Sequence, residues 1–254
     1  MAYSGTNIIS QFILLIKGFV LRWILPPGIM GFWNFVAVFQ GLIQTFDLGC
    51  IAGANRELPM MKGKHDYEEE TKIRSTTFWF TFFQNIVIGV FALIYVWWNR
   101  TEYVPWEIVA AIVAVFMFVI ASFVQTYMTF FQGAQAFVPL SKLLLGGVII
   151  ESICFLFGAY MWGLSGLMVT AVLISCLRSG LFIYFGQLIN LSVRLKTYKQ
   201  VLKRLLSFGF FLRLIDYPNA LFSMASLLWV TKFMSISDLA LFTMARGFCF
   251  QVAD

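Results

Sequence analysis

Five cations stand in stretches of this sequence that otherwise read as lipid-buried: Lys17, Arg22, Arg178, Arg213 and Arg246. A Lys or Arg at the centre of a hydrocarbon layer costs about 2.5–3.5 kcal/mol on insertion scales, so such residues mark ion pairs, anion sites or ion pathways. Two acids share these stretches, Glu151 and Asp216. The excess of positive charge, placed around a water-filled cavity, would draw a phosphate or an acidic sugar. Glu151 and Arg178 fall near the middles of consecutive apolar runs and can meet as an ion pair if those runs form antiparallel helices. Arg213 and Asp216 are three residues apart and share a helix face. Each pair either fixes helix packing alone or belongs to a functional interior. Lys17 and Arg246 have no acid nearby in sequence, and Lys17 is the first candidate to line a cavity. Arg22, close to Pro26, can instead snorkel to the interface.

The elements that position these residues are membrane spans. Sixty per cent apolar residues, 12% charged and a mean hydropathy of +0.84 exclude an ordinary soluble domain, whose charged fraction is about twice as large. Runs of about 20 apolar residues can cross a bilayer as helices. They are expected at roughly 8–25, 29–48, 75–98, 107–131, 142–162, 165–190 and 207–231, with an eighth beginning near 237. The fold class is therefore an all-α integral membrane protein, a polytopic bundle of about seven complete transmembrane helices plus the start of an eighth. The first run holds Lys17 and lacks a small-residue cleavage site, which separates it from a signal peptide.

Orientation follows from the loops. Those after spans 2, 4 and 6 carry Arg56, Lys62, Lys64, Lys72, Arg74, Lys142, Arg194, Lys196, Lys199, Lys203 and Arg204, whereas the opposite loops carry Arg100 and Lys232. The positive-inside rule puts the first set, and the N-terminus, in the cytoplasm of a cell whose inner membrane holds the chain. Trp97, Trp98 and Trp106 flank an outer loop, where amphipathic rings favour the interface. The net charge of +6 records this loop bias and gives no reason to expect nucleic acid. Cys50, Cys154, Cys176 and Cys249 show no metal or disulfide spacing. The lone His65 reads as a solvated loop residue. No catalytic residue, metal or cofactor is indicated, and no nucleotide-binding loop occurs.

Loop 49–74 has a local logic. Leu48 to Ala54 is rich in small residues that permit close helix contact. Pro59 is expected to interrupt a helix and Gly63 to permit a turn. Asp66 stands where an N-cap belongs, with Glu69 three residues on as its capping-box partner. Glu68, Glu69 and Glu70 suit the first turn of span 3, and Glu68–Lys72 and Glu70–Arg74 have i,i+4 spacing. The acidic run could also hold a divalent metal, although capping accounts for it.

The segment LGCIAGANRELPMMKGKHDYEEETKIRS, Leu48 to Ser75, resembles the second cytoplasmic loop of Wzx-type polysaccharide flippases in the MOP superfamily. The matching features are a Leu-Gly end to helix 2, a small-residue stretch, Arg56-Glu57-Leu58-Pro59, the basic pair around Gly63, and an acidic run from Asp66. Phe208-Gly209 and Phe233 to Ala245 are similar to later passages of the family. The resemblance implies a two-lobed transporter, with residues 1–204 as the N-terminal lobe and 205–254 as the start of the second. It also implies transport of a lipid-diphosphate-linked oligosaccharide (polyprenyl diphosphate carrier) from the inner to the outer leaflet. Partners would be that lipid, the surrounding membrane lipids, and the polysaccharide polymerase and chain-length proteins. Substrate-binding candidates are Lys17, Arg178, Arg213 and Arg246, with Glu151 and Asp216 as their ion-pair partners. A related MATE-type drug exporter is the second reading; its cationic substrates favour interior acids, the reverse of this pattern. An integral-membrane glycan-modifying enzyme is third and would need a sizeable outer loop or an intramembrane His or acid pair.

Overall fold

The computed structural model describes residues 2–101, 104–191, 193–233, 238, 239, 241–243 and 245. Among them are seven helices and no strand: α1 (Ala2–Ile24), α2 (Pro27–Gln44), α3 (Cys50–Gly63), α4 (Tyr67–Trp98), α5 (Pro105–Gly133), α6 (Phe137–Leu188) and α7 (Lys199–Phe233). Pro26 and Pro27 separate α1 from α2; Pro27 takes the first helical position, where a missing N–H costs nothing. α6 packs on α1 and α5, α5 reaches α2 and α4 as well, and α7 lies mainly on α3.

α6 is two arms. Gly163 at φ 58°, ψ −129° occupies a region open in practice only to glycine, and the chain folds back there. The arms are in backbone contact near the fold. A Cβ on Gly158 would lie 3.0 Å from the Gly166 carbonyl oxygen and 2.6 Å from Thr170 Cγ2. The spans expected at 142–162 and 165–190 are thus antiparallel neighbours, so residues equally far from Gly163 face one another.

Within the connector 49–74 the expected interruption at Pro59 does not occur. Residues 50–63 form α3, which runs through Pro59, and α4 starts at Tyr67. Proline removes one backbone donor, and packing on α4, α5 and α7 outweighs that loss. Cys50, Ala54 and Leu58, one turn apart, bury fully against Phe130, Phe131, Leu140 and Leu205. α3 is therefore the hub of one end of the bundle. The small residues act as expected: Gly49 and Gly53 meet the backbone of Gly209 and Leu205 on α7, with no room for a Cβ. Burial, helped by Asp47, pushes the Cys50 thiol up to about 12. It stays protonated and packs as a small apolar group.

The junction of α3 and α4 differs in detail from its expected form. Asp66 does cap α4, its Oδ1 accepting the Glu69 N–H at 3.0 Å. Glu69 does not close the capping box. The Asp66 N–H donates to the Met61 carbonyl instead, at 3.1 Å, and the Glu69 carboxylate turns to Arg204 at 3.0 Å. The left-handed residue ending α3 is His65 (φ 57°), with Gly63 still helical. His65 N–H donates to the Lys62 carbonyl, which with the Asp66–Met61 bond completes a Schellman motif. Gln135 and Asn190 end α5 and the second arm of α6 in the same way, at φ 55° and 60°. Such positions penalise a Cβ by about 1 kcal/mol. His65→Gly and Gln135→Gly should therefore each raise stability by up to about 1 kcal/mol in thermal unfolding of the detergent-solubilised protein; a lowered midpoint would contradict the caps.

Among the described residues, four helices are long and apolar enough to cross a membrane: Gly5–Ile24 of α1, α4, α5 and the folded α6. Their outward sides are unusually greasy for contact with water. Phe91, Ile153, Phe157 and Leu173 are all exposed, and a patch of that extent suits lipid. The chain is an all-α protein built for a membrane. Trp97 and Trp98 lie at the end of α4 opposite Arg74 and are exposed. The basic connectors gather at the other end. Arg194 N–H donates to Ser75 Oγ at 2.8 Å and Tyr198 N–H to Thr76 Oγ1 at 3.1 Å, while Lys62 donates to the Ala134 carbonyl.

Candidate functional site

Three of the sequence candidates converge between α1 and the two arms of α6. Lys17 Nζ lies 2.6 Å from Glu151 Oε1, and Arg178 Nη1 lies 3.0 Å from Glu151 Oε2. The side chains of Lys17, Glu151 and Arg178 are 13, 17 and 26% exposed, which places the cluster inside the helix packing. The Glu151–Arg178 pair was legible from antiparallel runs. Lys17 has no acid nearby in sequence, and its partner is 134 residues away, brought there by the packing of α1 on α6. The Lys17 ammonium also sits 4.8 Å from the centre of the Phe155 ring, one turn beyond Glu151, a contact that helps a desolvated cation.

The cluster has two cations and one carboxylate. Each carboxylate oxygen satisfies one cation, so a net positive charge remains in a region of low dielectric. Arg178 has donors to spare: its Nε is buried without a hydrogen-bond partner. Gly147 lets the guanidinium lie against the backbone of the first arm, where a Cβ would stand 3.5 Å from Nε. Chemically the arrangement can take up an anion. A phosphate oxygen could replace the Glu151 carboxylate on either cation or add to the free Arg178 donors.

Arg213 belongs elsewhere, and its expected partnership with Asp216 is corrected. Its Nη2 and Nε both donate to Asp47 Oδ2, at 2.7 and 3.1 Å. Asp216 faces outward and is exposed. Shared helix face was the right geometry but the wrong criterion, because Asp47 is held ready by two further donors. Gln84 Nε2 and the Gly49 N–H both bond Asp47 Oδ1 at 3.2 Å, and Tyr217 OH bonds the Asp47 carbonyl at 3.1 Å. Asp47 is thus the node joining the end of α2 to α4 and α7. No signal in the sequence distinguishes it from an ordinary helix-end acid. No family model, curated protein or solved structure matches this chain.

The motif residues form a third constellation, at the basic end. Arg204 on α7 lies 2.7 Å from Glu57 on α3 and 3.0 Å from Glu69 on α4. Arg56 stacks 4.0 Å over the Phe208 ring. Pro59 and Gly63 are within α3, and Asp66 caps α4. The Glu68–Lys72 and Glu70–Arg74 pairs form at 2.8 and 3.3 Å. The Lys72 hydrogen bond and charge hold the exposed Glu68 carboxyl below its usual range; its small stabilisation is present above the unfolded-state value and fades as pH falls. These contacts clamp α3, α4 and α7 and do not touch the Lys17 cluster. Arg22 is half-buried in the last turn of α1, where the helix dipole favours a cation. Arg246 lies outside the described residues.

Proposed function

We propose that this chain belongs to a flippase that carries a lipid-diphosphate-linked oligosaccharide across the cytoplasmic membrane, with Lys17 and Arg178 receiving the diphosphate. The observation that carries this reading is the sharing of Glu151, on the first arm of α6, by two cations from α1 and the second arm. Without substrate, Glu151 neutralises part of the positive charge and holds α1 to both arms of α6. A diphosphate displaces it, and the released carboxylate loosens that packing, coupling substrate entry to movement between helices. The chain crosses the bilayer seven times, with the N-terminus and the basic end in the cytoplasm; alternating access then follows by rocking of helical bundles. The segment's resemblance to Wzx-type flippases and the cationic interior support the same substrate class, and the export drive comes from a gradient, as the given sequence carries no nucleotide-binding loop. Interior cations also make a MATE-type exporter of cationic drugs the poorer reading.

The test is export of surface polysaccharide in cells lacking their own repeat-unit exporter, with membrane levels of each variant measured alongside. Lys17→Arg should retain most export. Lys17→Gln should lose roughly tenfold or more, the worth of a charge-assisted hydrogen bond of about 1.5–3 kcal/mol. Full export by Lys17→Gln at normal membrane levels would remove the cluster from substrate binding.

A further inference from the structure

A second feature lies on α7, on the face turned away from α3. Val201, Leu205 and Gly209 are buried toward α3. The opposite stripe, spaced by three and four residues, lines a groove of about 570 Å³ with Leu48 from the connector between α2 and α3. It begins with Lys199 and Lys203 and continues through Leu202, Leu206, Phe210 and Phe211. The groove is therefore cationic at one end and apolar for the rest of its length, roughly 18 Å from Lys199 to Phe211 at 1.5 Å per residue. Its cationic end coincides with the basic end of the bundle, where Arg194 and Lys196 also lie. The order of headgroup-binding and chain-binding surface thus matches the order in a bilayer leaflet.

Both lysines are exposed, and no described carboxylate lies within ion-pair distance of either. The acids that could neutralise them are committed: Glu57 and Glu69 to Arg204, and Asp47 to Arg213. We propose that this groove holds an anionic phospholipid of the inner leaflet. Its phosphate rests on Lys199 and Lys203 and one acyl chain runs along Leu202, Leu206 and the two phenylalanines. Basic pockets beside transmembrane helices on the cytoplasmic side take such headgroups. The site rests on the proposed orientation, with the basic end in the cytoplasm, and it is separate from the Lys17 cluster and from whatever that cluster transports.

The test uses the purified full chain, delipidated in detergent, with bound lipid counted by native mass spectrometry. Dioleoylphosphatidylglycerol is compared with dioleoylphosphatidylcholine, which has the same chains and no net charge. The wild type should prefer the anionic lipid by about fivefold for each lysine, or roughly 25-fold for both. Lys199→Gln with Lys203→Gln should bring the preference near one, whereas Lys64→Gln, on the exposed end of α3, should leave it unchanged. Ser207→Trp, at an exposed position inside the groove, should lower retention of both lipids. The proposal is overturned if the double lysine variant keeps its preference or if Lys64→Gln weakens it equally. It is also overturned if Ser207→Trp leaves retention intact, or splits a dimer of the chain in place of releasing lipid.

Discussion

Glu151→Gln should be the most damaging single change in the interior, costing about 3–5 kcal/mol of folded stability. Removing this carboxylate strands two desolvated cations at once, and an unpaired buried charge costs far more than a lost pair contributes. Lys17→Met should behave differently, because it leaves Arg178 and Glu151 as a balanced pair at 3.0 Å. Its cost should stay within about 1 kcal/mol. The two variants therefore separate a stability role for Glu151 from the charge role assigned to Lys17. A triple variant, Lys17→Met with Glu151→Gln and Arg178→Met, should recover much of the stability lost by Glu151→Gln alone. The readout is thermal unfolding in detergent together with the yield of monodisperse protein. If Glu151→Gln unfolds at the wild-type temperature, the three residues are not joined in the folded chain.

Gly209→Val should separate α3 from α7, with a loss of about 3 kcal/mol or more. A Cβ at Gly209 would collide with the Gly49 carbonyl oxygen and lie 2.7 Å from its carbon. Backbone cannot move aside as a flexible side chain can. Gly49 itself is held at φ 84°, so the opposing strand of contact has no freedom either. The collision would also pull Arg213, one turn along α7, away from Asp47. Gly146→Ala on α6 is the matched control, since nothing lies within 4 Å of its added Cβ. It should be neutral or stabilising by up to about 1 kcal/mol, the helix-propensity difference between the two residues. Equal effects at the two glycines would show that α3 does not pack on α7 as described.

Both predictions depend on contacts between segments far apart in the chain, and this marks the limit of what the sequence by itself determined. Apolar runs at membrane length were enough for the class, because lipid leaves a helix few ways to satisfy its backbone. The cap at Asp66 and the i,i+4 pairs after it were readable for the same reason: their partners lie within one turn. Glu151 and Arg178 were readable because a short reversal between two apolar runs forces antiparallel neighbours at matching depth. Beyond that reach, local patterns misled. The stretch from Cys50 to Gly63 contains charges, a proline and too few apolar residues to span, so it read as a connector with a helix broken at Pro59. The tertiary structure makes it a buried hub by packing it against α4, α5 and α7. Lys17 looked solitary until α1 packed on α6. Arg213 had two acids at usable distances, and the choice between them rested on the donors already arranged around Asp47. A charge in a low-dielectric interior settles with whichever opposite charge the packing presents pre-bonded, and that arrangement is a property of the assembled helices, absent from any one of them.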